Sequence, residues 1–266
     1  MQAPWGRALR CRPLLEIAAH LFTTRDLRLR DDPCGWKAIA GAMDVTPEKL
    51  LVIRQVHGAD VAVVRRNRPA PWALVVADDI VSDDPDAAVC VQVADCAPIL
   101  IGDRRLGVVG AAHAGWRGTV REAAPAAVRA MTEEFGSNPA DLVAAIGPCL
   151  GGCCGEVGDE VPQAFRDAGH GQVSIDRWFS PGPSGRAYLD LGRANRDQLE
   201  AAGIPPADIH SAGLCTKTHA TVLHSYRADG AGAGRMAAVI RASRASSRVP
   251  SQRHPSRGWR AGPLPC

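Results

Sequence analysis

Apolar residues in the middle of the chain come in short continuous runs instead of alternating strictly with polar residues. The runs occupy 51–54, 61–64, 74–76, 87–94, 99–101, 107–112 and 142–146. A continuous stretch of Val, Ile and Ala predicts a strand that is buried on both faces. The sequence therefore predicts sheets that are covered on both sides by other elements.

Helical periodicity is less frequent than strand-like runs. It predicts helices over 120–135, around 159–168 and over 191–202. Thr119 is the expected N-cap of the first helix, and Pro125 requires that helix to start late or to kink. Asp190 opens the last helix and Gly203 ends it. Because strands come in groups between helices, we predict an α+β fold, with mixed β-sheet layers flanked by helices in a single compact domain.

Composition and charge divide the chain into unequal parts. Its 266 residues are 46% hydrophobic, which is enough for one substantial core. We expect an N-terminal segment (1–17), a catalytic domain (18–243) and a disordered tail (244–266) rich in Arg, Ser and Pro. The tail holds five arginines and no acid, whereas the whole chain has a net charge of +3. The rest of the chain, residues 1–243, is therefore slightly negative. Residues 1–243 are not expected to bind nucleic acid.

Cysteine usage and hydropathy predict a cytoplasmic protein without membrane contact. No apolar run reaches the length of a spanning helix, and the apolar stretch 14–22 lacks a cleavage site. Nine cysteines, an odd number in a chain of this size, indicate reduced thiols. Cys149, Cys153 and Cys154 lie close together, but an adjacent pair fits metal-ligand spacing poorly and no His is nearby. We expect these three to be structural thiols.

Two histidines and one cysteine, each at or near the end of an apolar run, are candidate metal ligands. They are His57 in 55–58 (Gln-Val-His-Gly), Cys96 in 94–96 (Ala-Asp-Cys) and His113 in 113–118 (His-Ala-Gly-Trp-Arg-Gly). Zn²⁺ binds His nitrogen and Cys sulfur, and a catalytic zinc typically keeps three protein ligands and one open position. Their separations are too long for a zinc finger, so a formed fold must bring them together. This predicts a catalytic centre.

Polar neighbours of these ligands have two expected roles each. Gln55, Asp95 and Arg117 are the predicted substrate-binding residues. Asp95 is also expected to accept a hydrogen bond from a ligand imidazole or to cap its own turn. Gln55 is expected to position a substrate or to pin its own loop. The turn 115–118 before the predicted helix offers free amides beside Arg117, which predicts an anion site. The alternative for Arg117 is a surface ion pair with Glu122.

Taken together, these motifs resemble the laccase-domain family. Its members are known as multicopper polyphenol oxidase-like proteins, purine nucleoside phosphorylases and peptidoglycan editing factors. Further matching segments are 146–148 (Ile-Gly-Pro), 153–158 (Cys-Cys-Gly-Glu-Val-Gly), 189–191 (Leu-Asp-Leu), 215–216 (Cys-Thr) and 225–227 (Ser-Tyr-Arg). The resemblance spans roughly residues 18–241 and implies β-sheet layers flanked by helices. It also implies metal-binding and catalytic roles for His57, Cys96 and His113.

Two segments depart from the family pattern. After Thr24-Arg25 the family has a Gly-rich, Ser-containing loop and an Asn-Leu pair, whereas this chain has a shorter segment, 26–30 (Asp-Leu-Arg-Leu-Arg). The family often has Pro-Cys-Cys-Tyr where this chain has Gly-Cys-Cys-Gly at 152–155. A substrate contact from the first segment and an aromatic wall from the second are therefore not expected here.

The resemblance implies a zinc-dependent purine nucleoside phosphorylase that acts on adenosine, inosine and methylthioadenosine, with adenosine deamination as a side activity. The implied partners are purine nucleosides and phosphate, and the implied cofactor is Zn²⁺, with copper less favoured. We expect a monomer.

Three other classes of function stay open. A copper-dependent polyphenol oxidase needs several copper centres, but only two of the eight histidines lie in the motifs. A metal-free hydrolase would use Cys96 as nucleophile and His113 or His57 as base, which suits the editing of peptidoglycan precursors. A zinc-stabilised binding module is disfavoured because structural zinc sites have four protein ligands.

Overall fold

Three β-sheets and several helices make up the part of the chain that the computed structural model describes, which is residues 5–29, 32–66, 75–182, 185–243 and the backbone of 259–263. The strands are β1 (Arg7–Cys11), β2 (Ala18–Thr23), β3 (Leu50–Val52), β4 (Val61–Val64), β5 (Asp79–Ser82), β6 (Ala88–Val93), β7 (Ala97–Asp103), β8 (Val109–Ala114), β9 (Leu142–Ile146), β10 (Glu156–Val157), β11 (Phe179–Pro181), β12 (Ala187–Leu189), β13 (Ile209–Ser211), β14 (Met236–Ala242) and β15 (Trp259–Pro263). The α-helices are α1 (Arg12–Leu15), α2 (Pro33–Ala42), α3 (Trp116–Val120), α4 (Ala123–Phe135), α5 (Glu160–Asp167), α6 (Gln172–Trp178), α7 (Leu191–Ala201) and α8 (Tyr226–Asp229).

The sheets have mixed strand directions. Sheet I has the order β15-β1-β2-β14-β6-β3, sheet II the order β13-β9-β7-β8-β5-β4, and sheet III the order β10-β12-β11. Most neighbours are antiparallel, but β3–β6, β4–β5 and β9–β13 are parallel. The predicted α+β class with mixed sheet layers flanked by helices is confirmed.

Sheets I and II pack face to face and are covered by helices on their outer faces. Val89 and Val91 of β6 belong to the core between the sheets, together with Leu100 of β7. The alternate residues Ala88 and Cys90 face the other way, into a core shared with α2. Helices α4 and α7 pack on the outer face of sheet II. Because alternate side chains enter two different cores, strands such as β6 are apolar throughout, as the continuous runs predicted.

Most of the predicted strands are found, with shifted ends. β4 and β9 match the runs 61–64 and 142–146, and the runs 51–54, 87–94, 99–101 and 107–112 correspond to β3, β6, β7 and β8. The predicted strand 74–76 falls partly outside the described residues, and Val76 forms only an isolated bridge with Arg54. The elements that the sequence missed are β1, β2, β5, β10 to β15, α1, α2, α6 and α8. In β2 the apolar pattern is interrupted by His20, which is buried all the same, whereas the apolar run 236–240 of β14 was overlooked.

The first predicted helix is two helices. Thr119 lies within α3, where its hydroxyl donates to the carbonyl of Gly115 at 2.9 Å, so it is not the N-cap of α4. Glu122, with a φ of 57°, separates the two helices. Pro125 falls in the first turn of α4, where its missing N–H breaks no helical hydrogen bond. The helices predicted around 159–168 and over 191–202 are α5 and α7, and Asp190 caps α7 by accepting from the Arg193 amide.

Sheet I also includes strands from outside the expected catalytic domain of 18–243. Strand β1 lies within residues 1–17 and pairs with β2, so this segment is part of sheet I. Strand β15 pairs with β1 and lies in the tail that was expected to be disordered. The other tail residues, 244–258 and 264–266, lie outside the described residues. Among the helices that the structure describes, none has the length and apolar character needed to cross a bilayer.

Candidate metal centre

His57, Cys96 and His113 converge on one point, although the sequence places them far apart. One ligand atom from each residue lies within 4.8 Å of the other two. The two imidazole rings meet edge to face, with centroids 4.8 Å apart and planes at 75°. Zinc bonds of about 2.0–2.3 Å place two ligand atoms about 4 Å or less apart, so the separations of at most 4.8 Å are close to those of a zinc site. The predicted convergence is present, and the metal and catalytic roles of these residues stay predictions.

The three residues come from loops and strand ends where the two large sheets meet. Cys96 lies in the short connection from β6 of sheet I to β7 of sheet II, and His113 lies on β8. His57 lies in the loop after β3 and has a left-handed φ of 61°. This conformation is uncommon for a residue with a side chain, so something must hold the backbone in place.

Asp78 holds both the His57 loop and the His113 ring. Its carboxylate accepts the backbone N–H of His57 at 2.8 Å, of Gly58 at 2.5 Å and of Val56 at 3.3 Å. The same carboxylate lies 2.9 Å from Nδ1 of His113. Since a carboxylate only accepts, His113 donates from Nδ1, and Nε2 is the ring nitrogen that faces the cluster and can bind a metal. Carboxylates in this position commonly orient metal-binding histidines.

Electrostatic coupling favours the thiolate of Cys96. Burial would raise the pKa of the Cys96 thiol, but hydrogen bonds from His113 and His57 outweigh burial and lower the pKa to about 6. Burial likewise lowers the pKa of His113, but hydrogen bonds to Asp78 and Cys96 outweigh it and raise the pKa to about 9. The pKa of Asp78 falls to about 2 because hydrogen bonds from His113 and Gly58 outweigh burial. At neutral pH, without a metal, the cluster therefore pairs an anionic Cys96 sulfur with a protonated His113, and a metal ion would take the place of the proton that they share.

Gly115 has no side chain, and this absence makes room for the side chains of Cys96 and His57. A Cβ at this position would lie 2.7 Å from Sγ of Cys96 and 3.3 Å from Cδ2 of His57. The glycine follows His113 by two residues and directly precedes α3. Two imidazole nitrogens and one thiolate form a donor set that fits Zn²⁺, and imidazole and thiolate also bind copper.

Asp95 does not orient a ligand imidazole, contrary to one of its two predicted roles. Its carboxylate accepts from the Thr216 hydroxyl at 2.5 Å and from the Arg227 amide at 2.6 Å. The contact that was expected of it is made by Asp78, which sequence reasoning missed. The available signal was the pair Asp78-Asp79 at the start of an apolar run, the position expected for a side chain at a strand end.

Gln55 has its amide group engaged with the backbone. Its Oε1 accepts the Gln92 amide at 2.8 Å and its Nε2 donates to the Gln92 carbonyl at 2.9 Å. This pair of hydrogen bonds ties the His57 loop to β6. The geometry therefore supports the loop-pinning role, and substrate contact by Gln55 stays a prediction.

Arg117 is exposed and stacks on an aromatic ring. Its guanidinium carbon lies 4.2 Å from the centroid of the Trp116 ring. The alternative of an ion pair with Glu122 is wrong, because Glu122 pairs with Arg129 at 3.6 Å. The expected turn at 115–118 is also wrong, since α3 already begins at Trp116. Within the described residues, Arg117 makes no ion pair.

Gly155 explains why an aromatic residue is absent from the segment 152–155. It is buried, and a Cβ on its backbone would collide with the carbonyl oxygen of Leu189. The amide of Leu189 donates to the Gly155 carbonyl at 2.9 Å. The loop thus packs backbone against backbone at the point where the resemblance predicts an aromatic wall.

Comparison with known proteins shows similarity over most of the chain. Residues 35–243 match the family described as multi-copper polyphenol oxidoreductase laccase. A purine nucleoside phosphorylase of Deinococcus radiodurans is 39% identical over 205 residues, which are 76% of this chain and 74% of the relative. Adenosine deaminase RL5, from an unknown prokaryotic organism, is 36% identical over 203 residues, which are 74% of this chain and 76% of the relative.

A solved structure shows the same fold. The Bacillus licheniformis hypothetical protein YfiH superposes with a TM-score of 0.78 at 28% identity, covering 86% of this chain and 94% of that protein. The family match includes the loops that carry His57, Cys96 and His113. The chain therefore belongs to the multi-copper polyphenol oxidoreductase laccase family.

Proposed function

We propose that the chain is a zinc-dependent purine nucleoside phosphorylase that acts on adenosine, inosine and methylthioadenosine, with adenosine deamination as a side activity. The observation that carries this proposal is the three-ligand cluster of His57, Cys96 and His113, of which His57 is exposed. An open three-ligand set is typical of catalytic zinc, whereas structural zinc is closed by four ligands. The names of the Deinococcus and RL5 relatives support the two activities.

The residues at the centre have separate tasks in this proposal. The His57 imidazole, the Cys96 thiolate and Nε2 of His113 would hold the ion, and Asp78 keeps His113 in the required tautomer. When bound, zinc supplies Lewis-acid polarisation of a substrate oxygen or a water. The described cluster contains only two histidines, too few for the several centres of a copper oxidase, so copper is less favoured than zinc.

Phosphorolysis also requires a place for phosphate. A phosphate oxygen forms a bond to the ribose C1′ carbon while the bond from that carbon to the purine nitrogen breaks, and the purine leaves with a proton. We assign the phosphate contact to Arg117, whose exposed guanidinium is held over Trp116, close in sequence to His113. A guanidinium binds phosphate through two parallel charge-assisted hydrogen bonds.

A metal-free cysteine hydrolase is the second candidate. The specific observation in its favour is the Cys96 thiol, with a pKa of about 6 beside two imidazoles. A nucleophilic cysteine is activated in the same way by a neighbouring histidine. The two functions differ in their need for metal, since a nucleophilic Cys96 is free to react only when no ion holds it.

One assay separates these functions. The full chain is compared as purified, after removal of metal by a chelator, and after reloading with Zn²⁺, with adenosine in the presence and absence of phosphate. We expect ribose 1-phosphate only with phosphate, and a small release of ammonia without it, both lost on metal removal and restored by Zn²⁺. Cys96→Ser should abolish both activities, while Cys34→Ser, a change at an exposed cysteine outside the cluster, should not.

Two results would contradict the proposal. Phosphorolysis that persists in the metal-free protein would exclude a role for zinc. No turnover of any nucleoside, combined with cleavage of a peptidoglycan precursor by the metal-free protein, would favour the cysteine hydrolase.

A further inference from the structure

A second group of sulfur atoms lies outside the candidate metal centre. The Sγ atoms of Cys153, Cys154 and Cys215 all lie within 4.8 Å of one another. Cys153 and Cys154 lie in the loop between β9 and β10, whereas Cys215 lies in the loop after β13. The third thiol is distant in sequence, so the spacing of the adjacent pair alone did not indicate a ligand set.

Backbone hydrogen bonds hold the two loops together. Cys149 and Cys215 form an isolated parallel bridge, in which the Cys149 amide donates to the Leu214 carbonyl at 3.3 Å and the Thr216 amide donates to the Cys149 carbonyl at 3.0 Å. The Cys154 amide closes a turn by donating to the Gly151 carbonyl at 2.9 Å. The positions of the thiols are thus set by the backbone and not by chance contacts of long side chains.

Gly151 lies directly against this group of thiols. A Cβ on Gly151 would lie 3.2 Å from Cβ of Cys215 and 3.6 Å from Sγ of Cys153. The first of these contacts is tight and the second is an ordinary van der Waals distance, so a side chain at Gly151 would press mainly on Cys215.

We propose that Cys153, Cys154 and Cys215 bind one thiophilic metal ion, Zn²⁺ or Cu⁺, at a site separate from the His57, Cys96 and His113 centre. Thiolate ligands select these ions. Zinc–sulfur bonds of about 2.3 Å place two sulfurs of a tetrahedral site about 3.8 Å apart, so the group needs to contract by about 1 Å or less. The bound ion fastens the two loops to each other, whichever reaction the protein catalyses.

The group is accessible to an incoming ion. Cys153 is exposed, and a surface cavity of about 420 Å³ includes Cys153 and Cys215 in its lining. The expectation that Cys149 is a structural thiol fits its burial in the core of sheet II, but Cys153 has no comparable core position.

Metal stoichiometry tests the proposal. The reduced full chain is stripped of metal, loaded with Zn²⁺ alone or with Cu⁺ alone in parallel samples, dialysed, and analysed for bound metal by mass spectrometry. We expect two ions per chain in the wild type with at least one of the two metals, and one ion in the Cys153→Ser/Cys215→Ser variant. Cys34→Ser should retain two ions, whereas His57→Ala/Cys96→Ser should retain the one held by the second group. One ion per wild-type chain with both metals, or two in a folded Cys153→Ser/Cys215→Ser variant, overturns the proposal.

Protection from alkylation tests the same site without any substitution. Wild-type protein is treated with iodoacetamide with and without the bound metal, and each cysteine peptide is followed by mass spectrometry. Because a coordinated thiolate is a poor nucleophile, metal should slow modification of Cys153 by about tenfold or more. Exposed Cys34 should react at the same rate in both samples. Equal rates at Cys153 with and without metal overturn the proposal.

Discussion

The carboxylate of Asp78 joins two of the three candidate ligands, since it lies 2.9 Å from Nδ1 of His113 and accepts the backbone N–H of His57 at 2.8 Å. One residue therefore sets both the tautomer of a buried imidazole and the left-handed backbone of an exposed one. The candidate centre is therefore preorganised, although its three ligands come from separate parts of the chain.

Asp78→Asn is expected to weaken zinc binding by about 10–100-fold, the usual effect of removing a carboxylate that orients a ligand histidine. Asp79→Asn is the matched control. Asp79 is fully buried and its pKa is raised well above the usual value, chiefly by burial; its Oδ1 accepts the backbone amide of His113 at 3.1 Å and does not contact the imidazole ring. Competition titration against a chromophoric chelator measures the affinities, and circular dichroism checks the fold. Equal losses of affinity in the two variants would contradict the assigned role of Asp78.

Gly115→Ala is expected to abolish metal binding in a folded protein, because the added Cβ would lie 2.7 Å from Sγ of Cys96. Overpacking of this kind typically costs about 1–3 kcal/mol of unfolding free energy. Gly41→Ala in α2 is the control, since a Cβ there meets no atom within 4 Å. That change should leave metal binding intact and stabilise the helix by about 0.5–1 kcal/mol. Metal analysis and urea unfolding measure both effects, and a Gly115→Ala protein with full metal content would refute the packing argument.

Arg117→Ala is expected to raise the apparent KM for phosphate while affecting phosphate-independent deamination less. Loss of a charge-assisted hydrogen bond costs about 1.5–3 kcal/mol, which corresponds to a rise of roughly 10–100-fold. Arg129→Ala, which removes an exposed arginine paired with Glu122, is the control and should leave KM unchanged. Steady-state kinetics at varied phosphate decide the matter, and an unchanged phosphate dependence in folded Arg117→Ala would exclude the anion role.

His20 is expected to make the protein less stable in acid. Burial lowers its pKa from the ordinary 6.5 to about 4, and Nε2 accepts the Cys11 amide at 2.9 Å while the ring is neutral. The folded pKa lies below the unfolded one, so the stabilisation is fully present above pH 6.5 and is lost as the pH falls towards 4. The shift corresponds to about 3 kcal/mol. Urea unfolding gives the free energy of unfolding at neutral and at acidic pH. The loss of this free energy on acidification should be smaller for His20→Gln than for the wild type. Equal differences would contradict the prediction.

Part of the fold could be predicted from local sequence patterns, because a strand that is buried on both faces has a continuous run of apolar residues. The apolar runs that became β6, β7, β8 and β9 are continuous, since their side chains enter two cores. β2 was not predicted because His20 interrupts its apolar pattern, although the fold buries that residue. β14 was overlooked although 236–240 is a continuous apolar run. The break between α3 and α4 at Glu122 also has no strong local signal, apart from Pro125 three residues later.

The sequence by itself determined the family, the sheet-and-helix class and the identity of His57, Cys96 and His113 as a candidate ligand set. It did so because each ligand carries a short motif that can be read locally. Only the tertiary structure decided that Asp78, and not Asp95, holds His113, and that Cys215 joins Cys153 and Cys154. These relationships arise where loops of different strands meet. Proximity of that kind depends on sheet order and loop packing, which no short stretch of sequence encodes.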